Sequence, residues 1–185
     1  MNRKTHMMTR AAVIAAAYVV LTLPMAQFAF GVIQFRLAEA LTVLAALTPA
    51  ALPGLFLGCL LANLLNPQNL GPIDILGGSL ATLGASWVTW QLRKRVYKPV
   101  EPSAGSKMSG ILKKIWVISP PVWINALIVG TYLPFIIPGQ TINPGLIAAS
   151  ILSIFVSEAI VVYLVGLPLL IGLEKAKPAF LGWGG

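Results

Sequence analysis

Residues 115–157 read IWVISPPVWINALIVGTYLPFIIPGQTINPGLIAASILSIFVS, 43 consecutive positions without a charged side chain. A membrane crossing takes about 20 apolar residues, so the stretch holds most of two crossings. Between them lies the turn-rich segment 134–145, with Pro134, Pro138-Gly139 and Pro144-Gly145. Uncharged runs recur at 11–35, 40–73, 75–92 and 159–173. Hydrophobic residues make up 57% of the 185-residue chain and charged residues 10%, and the mean hydropathy is +0.85. A soluble domain carries about 25% charged residues, so this chain lacks the charge to solvate a globular surface. It reads as an all-α polytopic membrane protein, which argues against a soluble enzyme, a nucleic-acid binder or a secreted disulfide scaffold. The single cysteine, Cys59, has no partner for an internal disulfide.

The net charge of +8 bears on orientation. The basic residues cluster at Arg3, Lys4 and Arg10, then at seven positions from Arg93 to Lys114, then at Lys175 and Lys177. Clustered Lys and Arg stay on the cytoplasmic side, so an even number of crossings separates the clusters. The pattern predicts one domain over 1–185, a bundle of six transmembrane helices with both termini cytoplasmic. Residues 11–30 lack a small-residue cleavage site and read as a retained span. The spans are expected at 9–28 outward, 36–51 inward, 53–66 outward, 72–92 inward, 114–133 outward and 146–173 inward. Asn66-Pro67-Gln68-Asn69-Leu70-Gly71-Pro72 is dense in turn formers and reads as an outer loop. Residues 94–112, with Pro99, Pro102, Gly105 and Gly110, read as a cytoplasmic loop.

No metal-ligand set is expected, since His6 is the only histidine. No GxxxxGK[ST] phosphate loop occurs, so ATP hydrolysis by that route would fall to a partner. With no histidine or lysine inside a span to serve as a base, the chain reads as a non-enzyme without a cofactor. The informative groups are Arg36, Glu39, Asn63, Asp74, Asn125 and Glu158, all within or at the edge of apolar spans. A charge at mid-bilayer costs roughly 2.5–3.5 kcal/mol on insertion scales, and such residues usually face a bundle interior or a ligand pathway. Arg36 and Glu39, three apart, share a helix face and pair readily. Asp74, after Gly71-Pro72, suits a helix N-cap, and Asn63 suits a bond between helices. Asn125 and Glu158 lie away from any helix end and are the strongest ligand candidates. A carboxylate beside an amide reads the donor and acceptor edge of a nucleobase-like ring and repels phosphate.

Small residues at helical spacing form a second pattern: Ala11/Ala15, Ala12/Ala16, Gly54/Gly58/Ala62 and Gly77/Ala81/Ala85. Such faces let helix backbones approach closely. Most serve the bundle itself, and the first-span pairs are the candidates for docking another subunit. Ser150, Ser153 and Ser157 make a polar stripe suited to helix–helix contact. Phe28, Phe30, Phe35, Trp123, Tyr132 and Phe135 lie toward the outer side, where one could stack on a planar ligand.

The stretch 33–41, Ile-Gln-Phe-Arg-Leu-Ala-Glu-Ala-Leu, resembles a signature of the QueT family. So do Gly58-Cys59-Leu60-Leu61-Ala62-Asn63, Asp74 with the run 77–83, and Pro121-Val122-Trp123-Ile124-Asn125-Ala126. The resemblance covers nearly the whole chain. It implies a substrate-binding (S) component of an energy-coupling factor (ECF) transporter in a bacterial plasma membrane, taking up a queuosine precursor. The implied ligand is 7-aminomethyl-7-deazaguanine (preQ1) or a related 7-deazaguanine such as queuine. The implied partners are a transmembrane coupling (T) subunit and two cytoplasmic ATPases, with Ala11 and Ala15, or Ala12 and Ala16, as the docking pair. Its site candidates are Gln34, Arg36, Glu39, Asn63, Asp74, Asn125 and Glu158. The rival readings are an S component for another vitamin, or a secondary transporter in which Glu158 carries a proton.

Overall fold

The computed structural model describes residues 2–25, 36–96 and 107–176. Helix α1 (Arg3–Thr22) starts where Asn2 caps it, its side chain accepting a hydrogen bond from the Lys4 amide, and runs into a short 3-10 turn at Leu23–Met25. A ten-residue 3-10 helix follows at Leu37–Ala46. Then come α2 (Ala51–Leu65), α3 (Pro72–Val96), α4 (Lys107–Ile118), α5 (Pro120–Ile136) and α6 (Pro144–Ile160). A π-helical segment, Val161–Gly166, carries α6 into α7 (Leu167–Lys175). The described residues thus form six rods: α1, the 3-10 helix, α2, α3, α4 with α5, and α6 with α7.

Local chemistry explains the joints. Pro120 and Pro121 lack the N–H groups that would extend the α4 ladder, so the helices meet at Ser119, whose hydroxyl donates to the Trp116 carbonyl at 2.8 Å. Asn143 caps α6 by accepting from the Leu146 amide at 2.8 Å, with Pro144 in the first turn. The 66–72 segment is the expected turn: Asn66 Oδ1 accepts from the Gln68 amide at 3.1 Å. Gly71 has φ +96°, a conformation that favours glycine, directly before α3.

The element boundaries differ from expectation in three places. Helix α1 begins at Arg3 rather than at 9, because the Asn2 cap draws the basic residues into its first turns. The expected loop 94–112 is helical up to Val96 and again from Lys107. The second rod is a 3-10 helix, although stretches beyond three or four residues are uncommon in that form. At about 2.0 Å per residue against 1.5 Å for an α-helix, its ten residues cover the distance that a longer α-helix would need.

The 3-10 helix is the axis of the bundle. It touches α1, α2, α3, α4, α7 and the π segment, and seven of its ten residues are buried. Around it α1 packs on α2, α2 on α3, α3 on α5, and α5 on α6. Close approach depends on glycine at several seams. A Cβ on Gly58 would sit 2.6 Å from Tyr18 Cβ, and one on Gly54 would sit 2.8 Å from the Ala11 carbonyl oxygen. On the far side, a Cβ on Gly166 of the π segment would sit 2.7 Å from Val43 Cγ1.

Polarity is arranged inside out. Arg36, Glu39, Asn63, Asp74, Asn125 and Glu158 are buried, while Val13, Val20, Leu80, Leu152 and Leu164 are 57–71% exposed. A water-soluble monomer rarely presents so much contiguous apolar surface; lipid tails accept it. Arg3–Thr22, Gly110–Ile136 and Pro144–Lys175 are each long and apolar enough to cross a membrane, and Leu37–Ala46 and Ala51–Leu65 are shorter apolar helices. The basic residues collect at one end, where α4 touches α3 and α7. Arg93, Lys94 and Arg95 lie in the last turn of α3, Lys175 ends α7, and Lys114 of α4 pairs with Glu174 of α7. The protein is an all-helical membrane protein.

Candidate functional site

The polar residues converge toward the end of the bundle opposite the basic one. Asp74 and Arg93 are separated by about 28 Å along α3 at 1.5 Å per residue. Asp74 sits in the first turn of α3, where the helix dipole favours an anion. Its Oδ1 accepts a hydrogen bond from the Tyr132 hydroxyl at 3.0 Å and lies 3.8 Å from Arg36 Nη2. Gly78, one turn along α3, makes room for this meeting. A Cβ there would come within 3.3–3.5 Å of Asn63 Nδ2, Arg36 Nη1 and the Tyr132 hydroxyl.

Glu39 lies one turn deeper in the 3-10 helix and is fully buried. Its Oε1 accepts from the Tyr18 hydroxyl of α1 at 2.5 Å and from the Thr82 hydroxyl of α3 at 3.2 Å. Cys59 Sγ of α2 is 3.7 Å from Thr82 Oγ1 and 3.6 Å from Asn63 Nδ2. Glu39 is therefore held from two other rods, α1 and α3. Its Oε2 makes no hydrogen bond.

Glu158 of α6 approaches from the other side. Its Oε1 accepts from Asn125 Nδ2 of α5 at 3.1 Å, while Glu158 Oε2 and Asn125 Oδ1 make no hydrogen bond. Between these groups runs a narrow cleft lined by Arg36, Asn125, Val129, Ile154, Ser157 and Glu158, with about 230 Å³ of empty space counted out to its open side. The enclosed part holds little more than one water, so a bicyclic ring enters only if the lining side chains withdraw. Val129 and Ile154 give the cleft an apolar side next to the polar groups of Arg36, Asn125, Ser157 and Glu158.

Six of the sequence candidates are thus brought together: Arg36, Asn125 and Glu158 line the cleft, and Glu39, Asn63 and Asp74 buttress it. Arg36 lies by Asp74, and Glu39 accepts from Tyr18 and Thr82. Asp74 is not the N-cap, because α3 begins at Pro72 and Asp74 lies inside the first turn; its side chain accepts from a tyrosine of another helix. Gln34, Phe28, Phe30 and Phe35 lie outside the described residues. None of the described aromatics lines the cleft: Trp123 packs on Phe155 at 4.7 Å, Phe135 is exposed, and Tyr132 serves Asp74. Ser157 faces the cleft, and Ser150 is buried.

The four alanines of α1 separate into two faces. Ala11 and Ala15 are buried against Gly54 and Gly58 of α2, whereas Ala12 and Ala16 are exposed. Of the two alternative docking pairs, Ala11 with Ala15 packs inside the bundle and Ala12 with Ala16 lies on its outside. Sequence reasoning missed Tyr18, Thr82 and Cys59 as members of the network. Tyr18 lies seven residues after Ala11 and three after Ala15, on the same buried stripe of α1. Thr82, with Gly78, Ser86 and Thr89, belongs to a small and hydroxylated stripe on α3, and that spacing was the available signal.

No curated protein and no solved structure matches the chain. A family model does match, and it covers residues 8–175, from the basic start of α1 to the end of α7, with every described residue of the site inside it. The chain belongs to the QueT transporter family.

Proposed function

We propose that this protein is the substrate-binding component of an ECF transporter, and that its cleft captures a 7-deazaguanine queuosine precursor. The carrying observation is the Asn125–Glu158 pair, two buried residues that line the cleft and each keep one oxygen without a hydrogen bond. A purely structural pair would use those oxygens on neighbouring helices. Glu158 and Glu39 accept from ring N–H and amino groups, Asn125 adds a further acceptor, and Val129 and Ile154 sandwich the ring. The basic end faces the cytoplasm by the positive-inside rule, with both termini there and six crossings. The cleft then opens toward the outside. Ala12 and Ala16 offer a close-packing face for the coupling subunit, which brings the two ATPases.

The test is binding of 7-aminomethyl-7-deazaguanine to the purified chain, followed by tryptophan quenching, with riboflavin and biotin as controls. Saturable binding of the deazaguanine alone is expected; binding of a control vitamin instead would assign the bundle to another substrate. Uptake by the chain alone in proteoliposomes, driven by a proton gradient and lost in Glu158→Gln, would replace the ECF reading by a proton-coupled transporter.

A further inference from the structure

Among the described residues, Arg36 is the only cationic side chain in the cleft wall. Beside it the cleft offers acceptors: Glu158 Oε2 and Asn125 Oδ1 are buried without a hydrogen bond, and Asn125 Nδ2 is given to Glu158. The Arg36 guanidinium also meets a group outside the cleft, its Nη2 lying 3.8 Å from Asp74 Oδ1. Asp74 is fully buried, and neither it nor Tyr132 lines the cleft.

The carboxylate is itself held. The Tyr132 hydroxyl donates to Asp74 Oδ1 at 3.0 Å, so the oxygen that faces Arg36 is the one the tyrosine fixes. Two consecutive glycines of α3 make room for the arrangement. A Cβ on Gly77 would sit 3.1 Å from Tyr132 Cε1, and one on Gly78 would sit 3.4 Å from Arg36 Nη1 and 3.5 Å from the Tyr132 hydroxyl. Asn125, Val129 and Tyr132 follow one another on α5 at helical spacing. The same face of α5 therefore lines the cleft and, one turn further on, holds Asp74. Helices α3 and α5 together grip a side chain that belongs to neither. The donors of a guanidinium lie in one rigid plane, so anchoring one edge of it sets where the others point.

We propose that Tyr132 and Asp74 are positioning residues: they aim the Arg36 guanidinium so that it donates to the ring carbonyl of the ligand, and they touch no ligand atom themselves. The proposal rests on the reading of the cleft as a 7-deazaguanine site. The edge of that ring sets a carbonyl acceptor next to N–H and amino donors. Glu158 and Asn125 suit the donors, and Arg36 supplies the matching donor from the same wall. A polar group built to meet one ligand atom discriminates against an analogue in which that atom is changed.

The test compares binding of 7-aminomethyl-7-deazaguanine and its 6-thio analogue to the purified protein. The analogue keeps the ring N–H and amino groups and replaces the carbonyl oxygen by sulfur, a poorer acceptor. Wild type is expected to prefer the carbonyl compound about tenfold, the worth of one hydrogen bond to a charged group. Tyr132→Phe removes one oxygen atom and is expected to shrink that preference several-fold while affinity for the thio compound stays the same. Asp74→Asn removes the charge facing Arg36 and lowers the preference at least as far. Tyr18→Phe, which acts on Glu39, weakens both compounds alike and leaves the preference intact. Equal binding of the two compounds by wild type overturns the proposal while the deazaguanine reading stands. So does a Tyr132→Phe variant that weakens both alike or neither. If neither compound binds folded wild-type protein, the reading fails and the proposal with it. Tyr132→Phe decides the matter even if Asp74→Asn does not fold.

Discussion

The Tyr18 hydroxyl donates to Glu39 Oε1 at 2.5 Å, tying the middle of α1 to the axis of the bundle. Tyr18 is 2% exposed and Glu39 fully buried, and Thr82 donates to the same oxygen from α3. Helix α1 therefore has two occupied attachments, the glycine seam to α2 and this bond, while Ala12 and Ala16 face outward.

Tyr18→Phe removes that donor without changing the ring volume. A buried acceptor stripped of a partner costs about 1–3 kcal/mol, and Thr82 remains on the same oxygen, so the loss belongs at the lower end. The expected result is a lower thermal midpoint in detergent with the bundle intact, and several-fold weaker ligand binding because Glu39 is less firmly held. A variant that melts and binds like wild type would show that the bond does not position Glu39.

Asn125 holds Glu158 through a single 3.1 Å bond and offers its own oxygen to the cleft. Asn125→Ala deletes both functions and is expected to weaken ligand binding by about 1–3 kcal/mol, roughly 5- to 150-fold. Asn125→Asp keeps the shape but sets a second carboxylate against Glu158, so it should weaken binding at neutral pH and recover as the pH falls. Equal effects of the two substitutions at all pH values would mean that the amide donor does not matter.

The overall class was legible because silence in charge is a strong signal: 43 uncharged residues have few explanations. The turn at 66–72 was equally plain, because Asn, Pro and Gly there do what their backbones favour. The 3-10 form of Leu37–Ala46 was not legible. Leu-Ala-Glu-Ala-Leu is a good α-helix sequence, and the extended form belongs to a segment packed on all sides by other rods. The π segment after Glu158 is likewise unmarked by any proline or polar residue between 161 and 166. At the site, carboxylates and amides announced themselves by the cost of burying them. Tyr18, Thr82 and Cys59 did not, since tyrosine, threonine and cysteine sit in apolar helices without penalty and only the fold shows what they touch.

Gly58 and Gly84 separate packing from propensity. A Cβ on Gly58 meets Tyr18 Cβ at 2.6 Å and Ala15 Cα at 3.1 Å, groups that move only if α1 moves. Gly58→Ala is therefore expected to destabilise by about 1–3 kcal/mol and to weaken ligand binding through Tyr18. A Cβ on Gly84 meets nothing within 4 Å, so Gly84→Ala should be neutral or stabilise by up to about 1 kcal/mol through helix propensity alone. Thermal unfolding of both variants checks the contrast, and similar melting points would refute the seam.

The two alanine faces of α1 make opposite predictions. Ala11→Leu and Ala15→Leu force a large side chain into the contact with Gly54 and Gly58, so both should lower the melting temperature and ligand affinity of the isolated chain. Ala12→Leu and Ala16→Leu point away from the bundle and should leave folding and ligand binding of the isolated chain unchanged. If α1 docks a coupling subunit through that face, these outer substitutions abolish co-purification with the subunit and uptake in cells while the chain still binds ligand. Loss of uptake together with loss of ligand binding would instead mean that the outer face supports the fold. Unimpaired uptake in an Ala12→Leu, Ala16→Leu double variant would place the docking surface elsewhere on the bundle.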